Sequence, residues 1–168
     1  MSSVTYLTII GLTLFETAGI YMQGVNGSEH KIYATFSYLT ITGTTDTQHI
    51  SIYDLKRIKI LNSNLSPISG GTGIYASDVD RLTVSQCTIE GGTYGIQLVD
   101  GDDARLTDNE FDGIVTPIYF GATPANVVRP MIHGNNWRAC TNNPTISGAT
   151  DERVRDNIAI DGTWFTDT

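Results

Sequence analysis

Two cysteines in 168 residues cannot form a disulfide framework, so the fold must rest on a packed core. Positive charge is also scarce. Ten Lys and Arg stand against 18 Asp and Glu, a net charge of -8, which argues against nucleic acid and anionic membrane as partners. No apolar run approaches the length of a spanning helix, so membrane insertion is not expected. Residues 1–15 lack the basic start and small-residue cleavage site of a signal peptide. His30, His49 and His133 show no metal or triad spacing. The chain has no Gly-x-Ser-x-Gly elbow, no glycine loop for phosphate and no cysteine cluster for zinc. Nor does any stretch keep helical periodicity for ten residues or more.

What the chain has is repetition. Gly73-Ile74-Tyr75 recurs as Gly95-Ile96-Gln97 and as Pro117-Ile118-Tyr119, each 22 residues on. The same step backward from Gly73-Ile74-Tyr75 reaches Ile52-Tyr53. Leu82, Val84, Cys87 and Ile89 likewise become Ala104, Leu106, Asn109 and Phe111. Within each repeat, apolar and polar residues alternate with period two, as half-buried strands require. Gly70-Gly71, Gly91-Gly92 and Asp112-Gly113 supply the turns between them. A unit this short cannot bury its own apolar face, so units must stack around a shared core. The chain lacks the Leu-x-x-Leu-x-Leu-x-x-Asn consensus of a leucine-rich repeat. The expectation is an all-β, single-stranded parallel β-helix of about seven coils with repeats of about 22 residues.

One domain, 1–168, is expected, with regular coils at about 50–113 and irregular ones at 1–49 and 114–150. A loop is expected to bulge at 24–30. Val127-Val128 and Asn135-Asn136-Trp137 read as a seventh coil stretched by an insertion. A capping segment at about 151–168 is expected to close the exposed end of the stack.

The succession Gly-Ile-Tyr, Leu-Thr-Val and Cys87-Thr88-Ile89-Glu90-Gly91, with Asn109-Glu110-Phe111-Asp112-Gly113 after it, resembles the right-handed β-helix repeats of the pectate-lyase-like superfamily. That superfamily includes polysaccharide lyases, glycoside hydrolases, uronan epimerases, and bacteriophage tailspikes and fibres. A short, acidic β-helix without a leader looks most like a phage virion appendage. The resemblance implies a homotrimer, in the virion or outside the cell, that contacts bacterial surface polysaccharide or another virion protein. The alternative it implies is a polysaccharide hydrolase or lyase.

Three sets of residues are candidates. Tyr53, Tyr75, Gln97 and Tyr119 share a phase next to inward isoleucines, so they should form an outward row along the stack. Such a row suits sugar rings, a subunit interface, or support of the sheet itself. Asp80 and Asp102 fall one period apart, which approaches the ~5–5.5 Å separation of a retaining glycosidase pair. Crowding with Asp78, Asp100 and Asp103 would raise one of these acids, as a general acid needs. Asp78, Asp100 and Asp103 are also candidate Ca²⁺ ligands, and no other cofactor is expected. Solvated turns account for the same aspartates. The third set, Asn62 or Asn64, Asn109, and Asn135 or Asn136, recurs near one turn and reads as an internal structural ladder. Cys87, at the phase of Asn109, reads as a buried thiol.

Overall fold

The computed structural model describes residues 4–15, 19–24, 31–43, 48–121, 126–146, 149–150, 152–158 and 164–165. Among these there is no helix; all regular structure is strand. A first sheet of seven strands comprises β1 (Val4–Ile10), β4 (Lys31–Ser37), β7 (Ile58–Leu61), β10 (Thr83–Ser85), β14 (Arg105–Thr107), β18 (Met131–His133) and β20 (Arg153–Arg155). The second sheet holds β2 (Thr13–Phe15), β5 (Thr40–Thr42), β8 (Asn64–Ser66), β11 (Thr88–Glu90), β15 (Glu110–Asp112), β19 (Asn136–Ala139), β21 (Asn157–Ile158) and β22 (Trp164–Phe165). Five strands form the third: β3 (Ile20–Gln23), β6 (Gln48–Lys56), β9 (Thr72–Asp80), β12 (Tyr94–Leu98) and β16 (Thr116–Phe120). A short pair, β13 (Asp100–Asp102) and β17 (Asn126–Val128), forms a separate two-stranded sheet.

Successive visits to a sheet pair in parallel, so the chain winds as a β-solenoid. Five turns supply a strand to all three sheets; two later turns add strands only to the first and second. The expected seven coils are therefore five complete turns and two partial ones. Val127 belongs to the fifth turn, beside Gly101, and Trp137 to the sixth. Of the loop expected at 24–30, only Gly24 lies within the described residues. At the far end β22 reverses direction and pairs antiparallel with β21, which blocks that strand's free edge. Residues 151, 159–163 and 166–168 of the expected cap lie outside the described residues.

The repeat is not uniform. Ile74, Ile96 and Ile118 pair at steps of 22, but the partner of Ile74 in the preceding turn is Ile50, a step of 24. Ile50, Ile74, Ile96 and Ile118 are all fully buried and form one aliphatic stack. Phe36, Ile60, Val84, Leu106 and Ile132 form another beneath the first sheet. Ile41, Leu65, Ile89 and Phe111 line the second. These rows meet in one cluster along the axis. The glycine of the repeated tripeptide has a packing reason. A methyl at Gly73 would stand 2.7 Å from Ile89 Cγ2, and one at Gly95 2.6 Å from Phe111 Cδ1.

One residue with positive φ closes the corner between the first and second sheets in each turn: Gly11, Tyr38, Asn62, Gln86, Asp108, Gly134 and Asp156. The next residue points inward, and from Ser63 onward this position carries the ladder, which starts with Leu39 N donating to Ser63 Oγ at 3.1 Å. Asn109 Oδ1 accepts from Cys87 N at 3.0 Å, and Asn135 Oδ1 accepts from Asn109 N at 3.0 Å. Asn157 Oδ1 accepts from Asn135 N at 2.9 Å. Each amide nitrogen donates to a carbonyl of the turn before, from Val84, Leu106 and Ile132. The ladder thus runs through Asn135 rather than Asn136, gains Asn157, and has Ser63 where Asn62 or Asn64 was expected. Asn62 and Asn64 flank that inward position, so their side chains cannot enter the row.

Burial raises both thiols, Cys87 and Cys140, to about 11. Neither should react with Ellman's reagent in the native protein at neutral pH, and both should react once it is unfolded. A colour yield from native protein would mean that these sites open locally.

His49 is fully buried opposite Gly73, and neither ring nitrogen has a hydrogen-bond partner among the described residues. Desolvation lowers its pKa from 6.5 to about 4, so the folded chain keeps the ring neutral while the unfolded chain protonates it below about 6.5. Stability from this group is present above that pH and is lost as pH falls toward 4, by about 3 kcal/mol in all. Urea midpoints at pH 7 and 4.5 should fall less in His49→Leu than in the parent. Equal losses would assign the acid sensitivity to other groups.

Candidate functional site

The outer face of the third sheet carries the tyrosines. Ile74 is buried and Tyr75 partly exposed, as are Gln97 and Tyr119 at the matching positions. The row they form continues into Ser51 and Tyr21, not Tyr53. The longer step between the second and third turns shifts Tyr53 two residues along the strand, opposite Ser77. An even shift preserves the face, so Tyr53 still points outward and reaches its neighbours diagonally. Its ring centroid lies 5.5 Å from Tyr21 and 5.4 Å from Tyr75, with tilts of 40° and 41°. Gln97 interrupts the series, and beyond it Tyr119 stacks on Tyr94 at 4.7 Å. Tyr21 and Tyr94 therefore join the face. Tyr21 ends another copy of the tripeptide, Gly19-Ile20-Tyr21; Tyr94 lies outside the tripeptide and nothing in the repeat marked it.

The aspartates divide between two sides of a bend. Asp54 and Asp78 both have positive φ, at 53° and 56°, and Asp100 follows in the next turn. Desolvation raises the Asp78 carboxyl, helped by the negative charges of Asp100, Asp54 and Asp80. The crowding expected here thus acts on Asp78, with Asp54 as a contributor not signalled by the 22-residue step. Asp80 is paired with Lys56 at 3.0 Å, and Asp102 lies 3.5 Å from Arg129 Nη2. Both line one groove with Tyr33, Arg57 and Arg81. Asp103 turns to Arg129, whose Nε lies 2.9 Å away, and that hydrogen bond holds its carboxyl below the usual range. Among the described residues, no three His, Cys, Asp or Glu side chains are grouped to hold a metal ion.

Around the bend, basic side chains gather on the outer face of the first sheet. Lys59, Thr83, Arg105, Met131 and Arg153 occupy one row of aligned positions. A second row, at the corner before each strand, holds Arg57, Arg81, Asp103 and Arg129, all with positive φ. Shallow grooves along this face are lined by seven of the chain's ten Lys and Arg. Arg57 lies 5.0 Å over the Tyr33 ring, which itself stacks on Tyr6 at 5.1 Å. In the sequence, Lys56, Arg57 and Lys59 lie about one coil before Arg81. That spacing did not reveal the longer rows, because turns of unequal length hide which cations align.

The family model described as a right-handed β-helix region matches residues 18–163. The chain belongs to the right-handed β-helix family. That membership agrees with the parallel winding, the stacked core and the absence of helix among the described residues. No curated protein and no solved structure matches this β-helix. No helix among its described residues is long and apolar enough to cross a membrane.

Proposed function

We propose that this β-helix is a binding and structural protein of the tailspike or fibre type, part of a bacteriophage appendage. In this reading it assembles as a homotrimer and holds a host-surface glycan on the tyrosine face. The observation that carries the reading is the zigzag of Tyr21, Tyr53 and Tyr75, with centroids near 5.5 Å apart. Flat rings with polar tips, at least partly exposed across three successive turns, suit the apolar faces and hydroxyls of sugar rings.

Two measurements test this. Sedimentation equilibrium should give three chains per particle; a monomer at micromolar concentration removes the trimer. On an array of bacterial surface glycans, Tyr53→Ala with Tyr75→Ala should weaken the best neutral ligand at least about tenfold, as expected for two lost stacking contacts. Unchanged binding would move the glycan off this face.

A second reading is a polysaccharide hydrolase or lyase acting through Asp80 and Asp102, supported by their place in one groove. Lys56 and Arg129, ion-paired to Asp80 and Asp102, would hold the two carboxylates in place along that groove. Release of reducing ends or unsaturated uronates that survives Asp80→Asn with Asp102→Asn would exclude the pair.

A further inference from the structure

The first sheet's outer face carries an array of cations that neither the tyrosine row nor the acidic bend explains. The chain is strongly acidic, yet most of its cations lie here, segregated from most of its carboxylates. Lys59, Arg105 and Arg153 are exposed and, among the described residues, form no ion pair. They stand two turns apart, with Thr83 and Met131 between them. Two strand spacings make about 9.5 Å, close to the advance of an extended glycan over two sugar units. The corner row runs parallel to them. There Arg57, Arg81 and Arg129 adopt φ of 59°, 59° and 52°, a region that suits Gly, Asn or Asp far better than Arg. Turn geometry alone would not select arginine three times in four. Its charge at these positions therefore needs a reason outside the backbone.

We propose that this face binds an acidic polysaccharide lying along the solenoid axis, with an anionic group on alternate sugars. The alternation of cation and uncharged residue along the Lys59 row sets that charge spacing. Asp103 and Glu152, which also line the face, disfavour a chain that is charged at every unit. Nucleic acid is charged at every unit and would meet those carboxylates as well as the chain's overall negative field. This site is separate from the tyrosine face, so either can fail alone.

The test is calorimetric titration of the whole chain with hyaluronan oligosaccharides, which carry a carboxylate on alternate sugars. Binding is expected, and it should weaken at least about tenfold on carboxyl reduction of the ligand or on Arg105→Glu, and also as salt rises. Arg81→Asn relaxes the corner and should melt no lower than the parent, yet it should weaken the same ligand. That combination separates a binding role from a structural one. Tyr53→Ala should leave this binding unchanged. Equal affinity for the carboxyl-reduced chain, or indifference to both arginine substitutions, overturns the proposal. Tighter binding of polygalacturonate or of a single-stranded oligonucleotide overturns the alternating charge.

Discussion

Asn135→Leu is expected to lower stability by about 3–5 kcal/mol, because it strands several buried polar groups at once. Asn135 is fully buried. Its Oδ1 accepts from both Asn109 N and Asn109 Nδ2, and its Nδ2 donates to Leu106 O at 2.8 Å and to Asn157 Oδ1 at 3.0 Å. Leucine fills a similar volume, so the cost comes mainly from unpaired groups rather than from a void. For a chain of this size the melting temperature should fall by roughly 8–16 °C. Cys87→Asn tests the same logic in the other direction. Cys87 Sγ already lies 3.6 Å from Ile60 O, where an amide nitrogen would make a stronger bond. That variant should hold or raise the melting temperature. A leucine variant that melts within a degree or two of the parent would show that the ladder contributes little.

Ile96→Asp should cost more, about 4–5 kcal/mol or above, through burial of a charge with no partner. Ile96 is fully buried between Ile74 and Ile118, and each turn of a solenoid leans on the next. The damage should therefore spread to both neighbours, with loss of cooperative unfolding in chemical denaturation. Gln97→Asp, one residue away on the outer face, should change stability by no more than about 0.5 kcal/mol. Comparable losses in the two variants would mean that the inward and outward phases are not distinct.

The contrast between neighbours explains what was legible beforehand. Alternation marks the face of each residue, and steps of 22 and 24 are both even, so Ile52 and Tyr53 kept their faces despite the shift. Neighbours across turns were less legible. Tyr53 was aligned with Tyr75 by a constant step, yet it pairs with Ser77 and meets Tyr75 only diagonally. The ladder shows the same division. Cys87 and Asn109 were matched correctly within the regular coils. Asn157, one regular step of 22 after Asn135, was missed because its segment was read as a cap rather than a coil, and the choice between Asn135 and Asn136 needed the corner's positive φ at Gly134. The Asp80 and Asp102 alignment was readable, but their ion-pair partners, Lys56 and Arg129, come from other turns.

By itself the sequence determined the winding. Short alternating runs broken by turn residues can bury their apolar face only by stacking, and this requirement is local enough to read along the chain. Only the tertiary structure decided which side chains meet across turns, because the length of each turn sets the register and register assembles the rows. The tyrosine zigzag, the raised Asp78 and the two cationic rows are all products of that register. A difference of two residues between turns leaves the core intact but changes every neighbour on the surface, where recognition takes place.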